Sequence, residues 1–147
     1  MDEKSAPRAS WAFWLVAVLA LLWNAFGAYD YWMSQTRGAA YLEGMGMTPD
    51  QIAYFNAMPG WLTGVWAIGV WGAVAGAILM LIRSRWAAAA YAASLAALLA
   101  SLVYAHLLSD GGEVMGAQGL IMNAVITAAA VFFLWFSWRM AKRGVLR

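Results

Sequence analysis

Four apolar runs, each nearly free of charge, set the limits on what this chain can become. They cover Trp11–Trp32, Trp61–Ile82, Trp86–Leu108 and Gln118–Trp138. A helix rises ~1.5 Å per residue, so ~20 apolar residues cross a ~30 Å hydrocarbon core. Helices also close their own backbone hydrogen bonds, which lipid demands. A water-soluble fold of 147 residues needs a charged surface that 65% hydrophobic and 11% charged residues cannot supply. The expected fold is all-α: an integral membrane four-helix up-down bundle, one transmembrane domain over residues 1–147. The first run is too long for a signal-peptide core and is read as a retained helix.

The charges sort across this ladder. Lys4 and Arg8 precede the first span, Arg83 and Arg85 join the second to the third, and Arg139, Lys142, Arg143 and Arg147 follow the fourth. These three places share one side, which the positive-inside rule makes cytoplasmic. The other side holds Arg37 against Asp30, Glu43, Asp50, Asp110 and Glu113. Trp11, Trp14, Trp32, Trp61, Trp86, Trp135 and Trp138 lie near span ends, as headgroup-level aromatics do. The net charge of +2 therefore reads as a topology signal, not as a nucleic-acid footprint. The expected location is a bacterial inner membrane, multi-pass, with both termini cytoplasmic.

The three-residue turn Arg83–Arg85 makes the second and third spans antiparallel neighbours. Gly69, Gly72 and Gly76 on one, and Ala89, Ala93 and Ala97 on the other, have the small-residue spacing that lets helices approach closely. The same pattern serves packing within one bundle or a homodimer seam. In the long outer loop, Thr48-Pro49-Asp50-Gln51 is a helix start: Thr at the N-cap, Pro at the first position and Gln at N3. A short interfacial helix is expected over 49–58, with Ile52, Phe55 and Met58 toward lipid or the bundle.

Candidates for chemistry are few. The chain has no cysteine, which excludes disulfides, cysteine-based zinc sites and thiol catalysis. No hydrolase, zinc-protease, Walker or Rossmann motif occurs, so no enzyme, catalytic residue, metal site or cofactor is expected. His106, the single histidine, and Asp30 lie at similar outer depth and can pair. They read as an interfacial hydrogen-bonding pair or as a proton or ligand site. Six of the nine methionines lie on the outer side, including Met45-Gly46-Met47. Thioethers suit Cu(I), and they also serve as plain apolar filler. At mid-membrane, Trp23, Asn24, Trp66 and Trp71 could face a neutral solute, ring against C–H and amide against hydroxyl, or pack between helices.

Three stretches are distinctive: Asn24-x-x-Gly27-x-x-Asp30-Tyr31-x-Met33-x-Gln35-Thr36-Arg37, then Thr48-Pro49-x-Gln51-x-Ala53-Tyr54-Phe55, then Pro59-x-Trp61 with Trp66-x-x-Gly69-Val70-Trp71-Gly72. Together they resemble a family of small four-helix bacterial inner-membrane proteins that often carry the label "sugar transporter". The resemblance runs from the first span through Arg83–Arg85 and thins beyond. It implies the four-span fold and points to Asp30–Arg37 and the Thr48 helix, with His106 outside the pattern. Asp30 and Arg37 share one face if the first helix continues past Trp32, where a salt bridge between them could fix the loop on top of the bundle. Two functions stay open. One is a non-enzymatic accessory subunit that binds lipid and other membrane helices or itself. The other is an oligomeric transporter of a neutral solute such as a sugar.

Overall fold

The computed structural model describes residues 8–147, so Lys4 lies outside the described residues. Six α-helices follow in order: α1 (Trp11–Arg37), α2 (Ala39–Gly44), α3 (Pro49–Asn56), α4 (Gly60–Leu81), α5 (Ala87–Val103) and α6 (Gly111–Lys142). A π-helical turn, Tyr104–Leu108, extends α5. The helices α1, α4, α5 with its π turn, and α6 are each long and apolar enough to cross a membrane. The protein is an all-α, four-span membrane protein.

Two spans outrun their apolar cores. The first helix continues to Arg37, because Met33–Arg37 keep the helical ladder even where hydropathy has fallen. The last begins at Gly111 rather than Gln118 and carries a break at Gly116, whose φ of 67° and ψ of −162° lie outside helical space. Glycine accepts that conformation without the Cβ clash other residues meet. One turn, Gly111–Met115, is thereby set off from the membrane-spanning part.

The spans pack in chain order, α1 on α4, α4 on α5 and α5 on α6, while α1 and α6 share no extended approach. The α4–α5 contact is the closest. A methyl at Gly72 would lie 3.5 Å from Ser94 Cβ, and one at Gly76 only 3.0 Å from the Tyr91 ring. Gly69 faces Ala97, and its carbonyl accepts the Ser94 hydroxyl at 2.6 Å. The α5 face toward α4 is thus Ala90, Tyr91, Ser94 and Ala97. Ala89 and Ala93 lie on the exposed side of α5. They stand two positions from Tyr91, about 200° around the helix.

The core gathers at the end that carries the basic residues. Phe13, Ala17, Ala20, Ala77, Met80, Ala87, Tyr91 and Met140 form it, with Val145 and Leu146 from the tail. Phe13 stacks on Phe136 at 6.1 Å, which joins α1 to α6 at this end. The tail is held by main-chain geometry. The Gly144 N–H bonds the Ala141 carbonyl and the Val145 N–H that of Met140, a Schellman ending with Gly144 at φ 78°. The same ending closes α4, with Arg83 in the left-handed position at φ 58°. There a side chain costs about 1 kcal/mol or more. Arg83 is held in place by its Nε donation to the Val145 carbonyl at 2.9 Å. The Arg147 N–H donates to the Arg83 carbonyl, and the Arg85 N–H to the Arg147 carbonyl, each at 2.8 Å.

This packing predicts unequal effects of placing a leucine on the two sides of this hairpin. Gly76→Leu forces the helices apart and costs about 1–3 kcal/mol in reversible unfolding in mild detergent. Ala93→Leu, on the exposed side, stays within about 0.5 kcal/mol. Equal losses would contradict the assigned contact face. Leu146→Ala, which empties a buried site in the tail, costs about 2–5 kcal/mol.

Candidate functional site

The end that carries the acidic residues is covered by the α1–α4 connection. Gly38, at φ 55°, turns the chain from α1 into α2. Tyr41 on α2 then reaches back and donates its hydroxyl to Asp30 Oδ1 at 2.7 Å. Asp30 is therefore paired with Tyr41, and among the described residues no ion pair joins it to Arg37, which is exposed. That pairing is replaced because the helix ends at Gly38 and folds a closer donor onto the carboxylate. The bond to Asp30, then burial and the nearby charge, push the Tyr41 phenol from its ordinary value near 10 to about 12.

The next element, α3, begins with the reciprocal cap expected of its sequence. The Thr48 hydroxyl accepts from the Gln51 N–H at 3.3 Å, and Gln51 Oε1 accepts from the Thr48 N–H at 3.1 Å. The Gln51 amide nitrogen also donates to the Val114 carbonyl at 3.3 Å. That carbonyl lies in the turn before Gly116, where the helical ladder of α6 is interrupted. The helix α3 thus closes over the bundle. Phe55 lies 6.1 Å from Trp66, which meets Tyr31 edge-on at 4.9 Å. Tyr54 bonds Ser109 at 2.9 Å, and its hydroxyl fills the space where a Cβ on Gly111 would stand.

A shallow depression of about 370 Å³ opens beside this helix, lined by Glu43, Met47, Pro49, Ile52, Ala53 and Asn56. Met47 lies in it, while Met45 is exposed. His106 is exposed in the π turn, with its ring against Gly112 rather than against Asp30. Among the described residues no group of three His, Cys, Asp or Glu side chains converges as a metal site.

The four mid-membrane residues do not surround one space. Trp66 belongs to the aromatic cluster under α3, and Trp23 and Trp71 turn outward, 39% and 46% exposed. Asn24 points inward, and its amide nitrogen is buried without a hydrogen-bond partner. Asn123 on α6 is half-buried, and its side chain likewise bonds nothing among the described residues. The serines and threonines nearby differ: Ser101, Thr127 and Ser137 return their hydroxyls to main-chain carbonyls of their own helices. The buried Tyr91 hydroxyl also lacks a partner, deep in the α4–α5 core.

Asn24 and Asn123 share a level. Phe13 and Phe136 stack, and Asn24 is 11 residues beyond Phe13 (24 − 13) while Asn123 is 13 before Phe136 (136 − 123). At ~1.5 Å per residue, both stand ~16–20 Å above the stacked rings. They occupy α1 and α6, the two helices that do not pack along each other. The sequence marks both as polar in apolar runs. It also places both in the middle and outer half of their spans; what it does not give is their lack of partners.

Two measurements check this arrangement. The Tyr41–Asp30 bond needs the protonated phenol, so its stabilisation is fully present below pH 10 and is lost as pH rises through about 12. Ultraviolet titrations of the native protein and of Asp30→Asn should differ by one tyrosine, which the substitution returns toward 10. Gly111→Ala should displace Tyr54 and expose α3 to limited proteolysis while the spans stay protected. Unchanged cleavage would contradict the docking of α3 on α6. Comparison of the chain with family models, with curated proteins and with solved structures finds no match.

Proposed function

We propose that this membrane protein is a non-enzymatic interaction subunit whose α1–α6 edge receives a helix of another membrane protein. The observation that carries the reading is the pair Asn24 and Asn123. Lipid chains offer a carboxamide no hydrogen bond, and leaving one unmet in hydrocarbon costs several kcal/mol. A polar side chain on an incoming helix supplies a partner to the half-buried Asn123 at that level, and Asn24, whose amide nitrogen is buried, meets it by turning outward. The exposure of α6 fits the same reading. Only 6% of its most apolar window is buried, against 22%, 17% and 22% for the other spans. In this reading the protein resides in a bacterial inner membrane with both termini cytoplasmic, as Arg8, Arg83, Arg85 and the α6 tail favour.

Mass measurement of the native protein in mild detergent tests the proposal. A complex with a polypeptide of different sequence is the expected result. Asn24→Leu with Asn123→Leu should weaken it roughly tenfold, at about 0.6 kcal/mol or somewhat more for each lost interhelical bond. A chain that extracts alone from its own membrane would contradict the proposal.

The second reading, an oligomeric transporter of a neutral solute, draws on the same amides and on the resemblance to proteins labelled sugar transporters. Amides at mid-depth suit hydroxyl groups. The outward turn of Trp23 and Trp71 removes two of the rings that would have covered the solute. Uptake of a labelled sugar into vesicles that contain only this protein would favour this reading over the first.

A further inference from the structure

We propose that the basic half of α6 is a binding site for one anionic phospholipid, with an acyl chain along Val131, Leu134, Trp135 and Trp138 and the phosphate at Arg139 and Lys142. The six positions recur at helical spacing on one face of α6. The first four line a groove of about 320 Å³. Val131, Trp135 and Trp138 are each about half exposed along it. From Val131 to Lys142 the helix rises ~16 Å, about one leaflet of a ~30 Å core. The stripe therefore runs from the bilayer interior to headgroup level and there changes from apolar to cationic.

The cations are positioned by the same rings that form the groove. The Arg139 guanidinium carbon lies 5.4 Å from the Trp135 ring centroid, and Lys142 Nζ lies 4.1 Å from that of Trp138. Stacking on an aromatic face orients each cation and leaves its N–H donors open. No Asp or Glu side chain of the described residues competes for them, because Asp30, Glu43, Asp50, Asp110 and Glu113 all belong to the opposite end. Charge complementarity thus selects an anionic headgroup, and the groove selects a lipid over a free phosphate ion. The site lies away from Asn24 and Asn123 and does not depend on the proposed function.

The test uses the full chain in mild detergent with equal amounts of phosphatidylglycerol and phosphatidylcholine of matched acyl chains. Lipid adducts are read by native mass spectrometry. Preferential retention of phosphatidylglycerol by roughly 30-fold is expected, the gain that two surface cations supply. Arg139→Gln with Lys142→Gln should remove most of the preference, and Arg37→Gln, at the other end, should leave it intact. Both altered cations are exposed, so the fold does not depend on them. Equal retention of the two lipids, an unchanged preference in the double variant, displacement of phosphatidylglycerol by equimolar inorganic phosphate, or a polypeptide covering this face instead would each overturn the proposal.

Discussion

The hydrogen bond from the Ser94 hydroxyl to the Gly69 carbonyl can form only because α4 and α5 approach to backbone distance. Lipid supplies no hydrophobic drive between helices, so close packing and such bonds must hold a span pair together. The glycines of α4 and the small face of α5 supply both. Every other span leans on this hairpin. The α1 helix packs on α4, and α6 packs on α5. The Phe13–Phe136 stack adds a direct link between α1 and α6 at the basic end.

The two ends of the protein are built differently. At the basic end, two Schellman endings turn the backbone, and the C-terminal tail closes on the α4–α5 turn through paired main-chain bonds. Buried Val145 and Leu146 seal the core there. At the acidic end, closure comes from side chains on short helices: Tyr41 on Asp30, Gln51 on Val114 and Tyr54 on Ser109. Such a cover is the kind of element that opens at lower free energy than the core beneath it. The membrane interior between these ends holds unpartnered amides on the edge helices. The proposed interaction role rests on that combination of a locked base, a light cover and an unfilled edge.

Much of this was legible in the sequence. Hydropathy located the spans because lipid imposes a length and an absence of charge on each. The Thr48 cap was legible because its chemistry is local, four residues long. The helix contacts were only partly so. Small residues at four-residue spacing occur on two sides of α5, and only Ala97 of the three singled out faces α4. Nothing within α5 says which side the partner will take. The Asp30–Arg37 pair failed for a related reason: Gly38 ends the helix and brings in Tyr41, a contact set by a turn rather than by helical spacing. The tail was legible as basic, while its burial depends on a fold made by the distant Arg83 turn.

The helices α1 and α6 meet through the Phe13–Phe136 stack at the basic end and share no extended approach toward the acidic end. The chain has no native cysteine, so paired spin labels report on chosen sites alone. Distances between labels at Ala12→Cys and Arg139→Cys, and between labels at Gln35→Cys and Gln118→Cys, should be measured by pulsed electron resonance in lipid nanodiscs. The basic-end pair should give a short, narrow distribution and the acidic-end pair a longer one. Equal, short distances at both ends would describe a closed four-helix bundle and contradict the account.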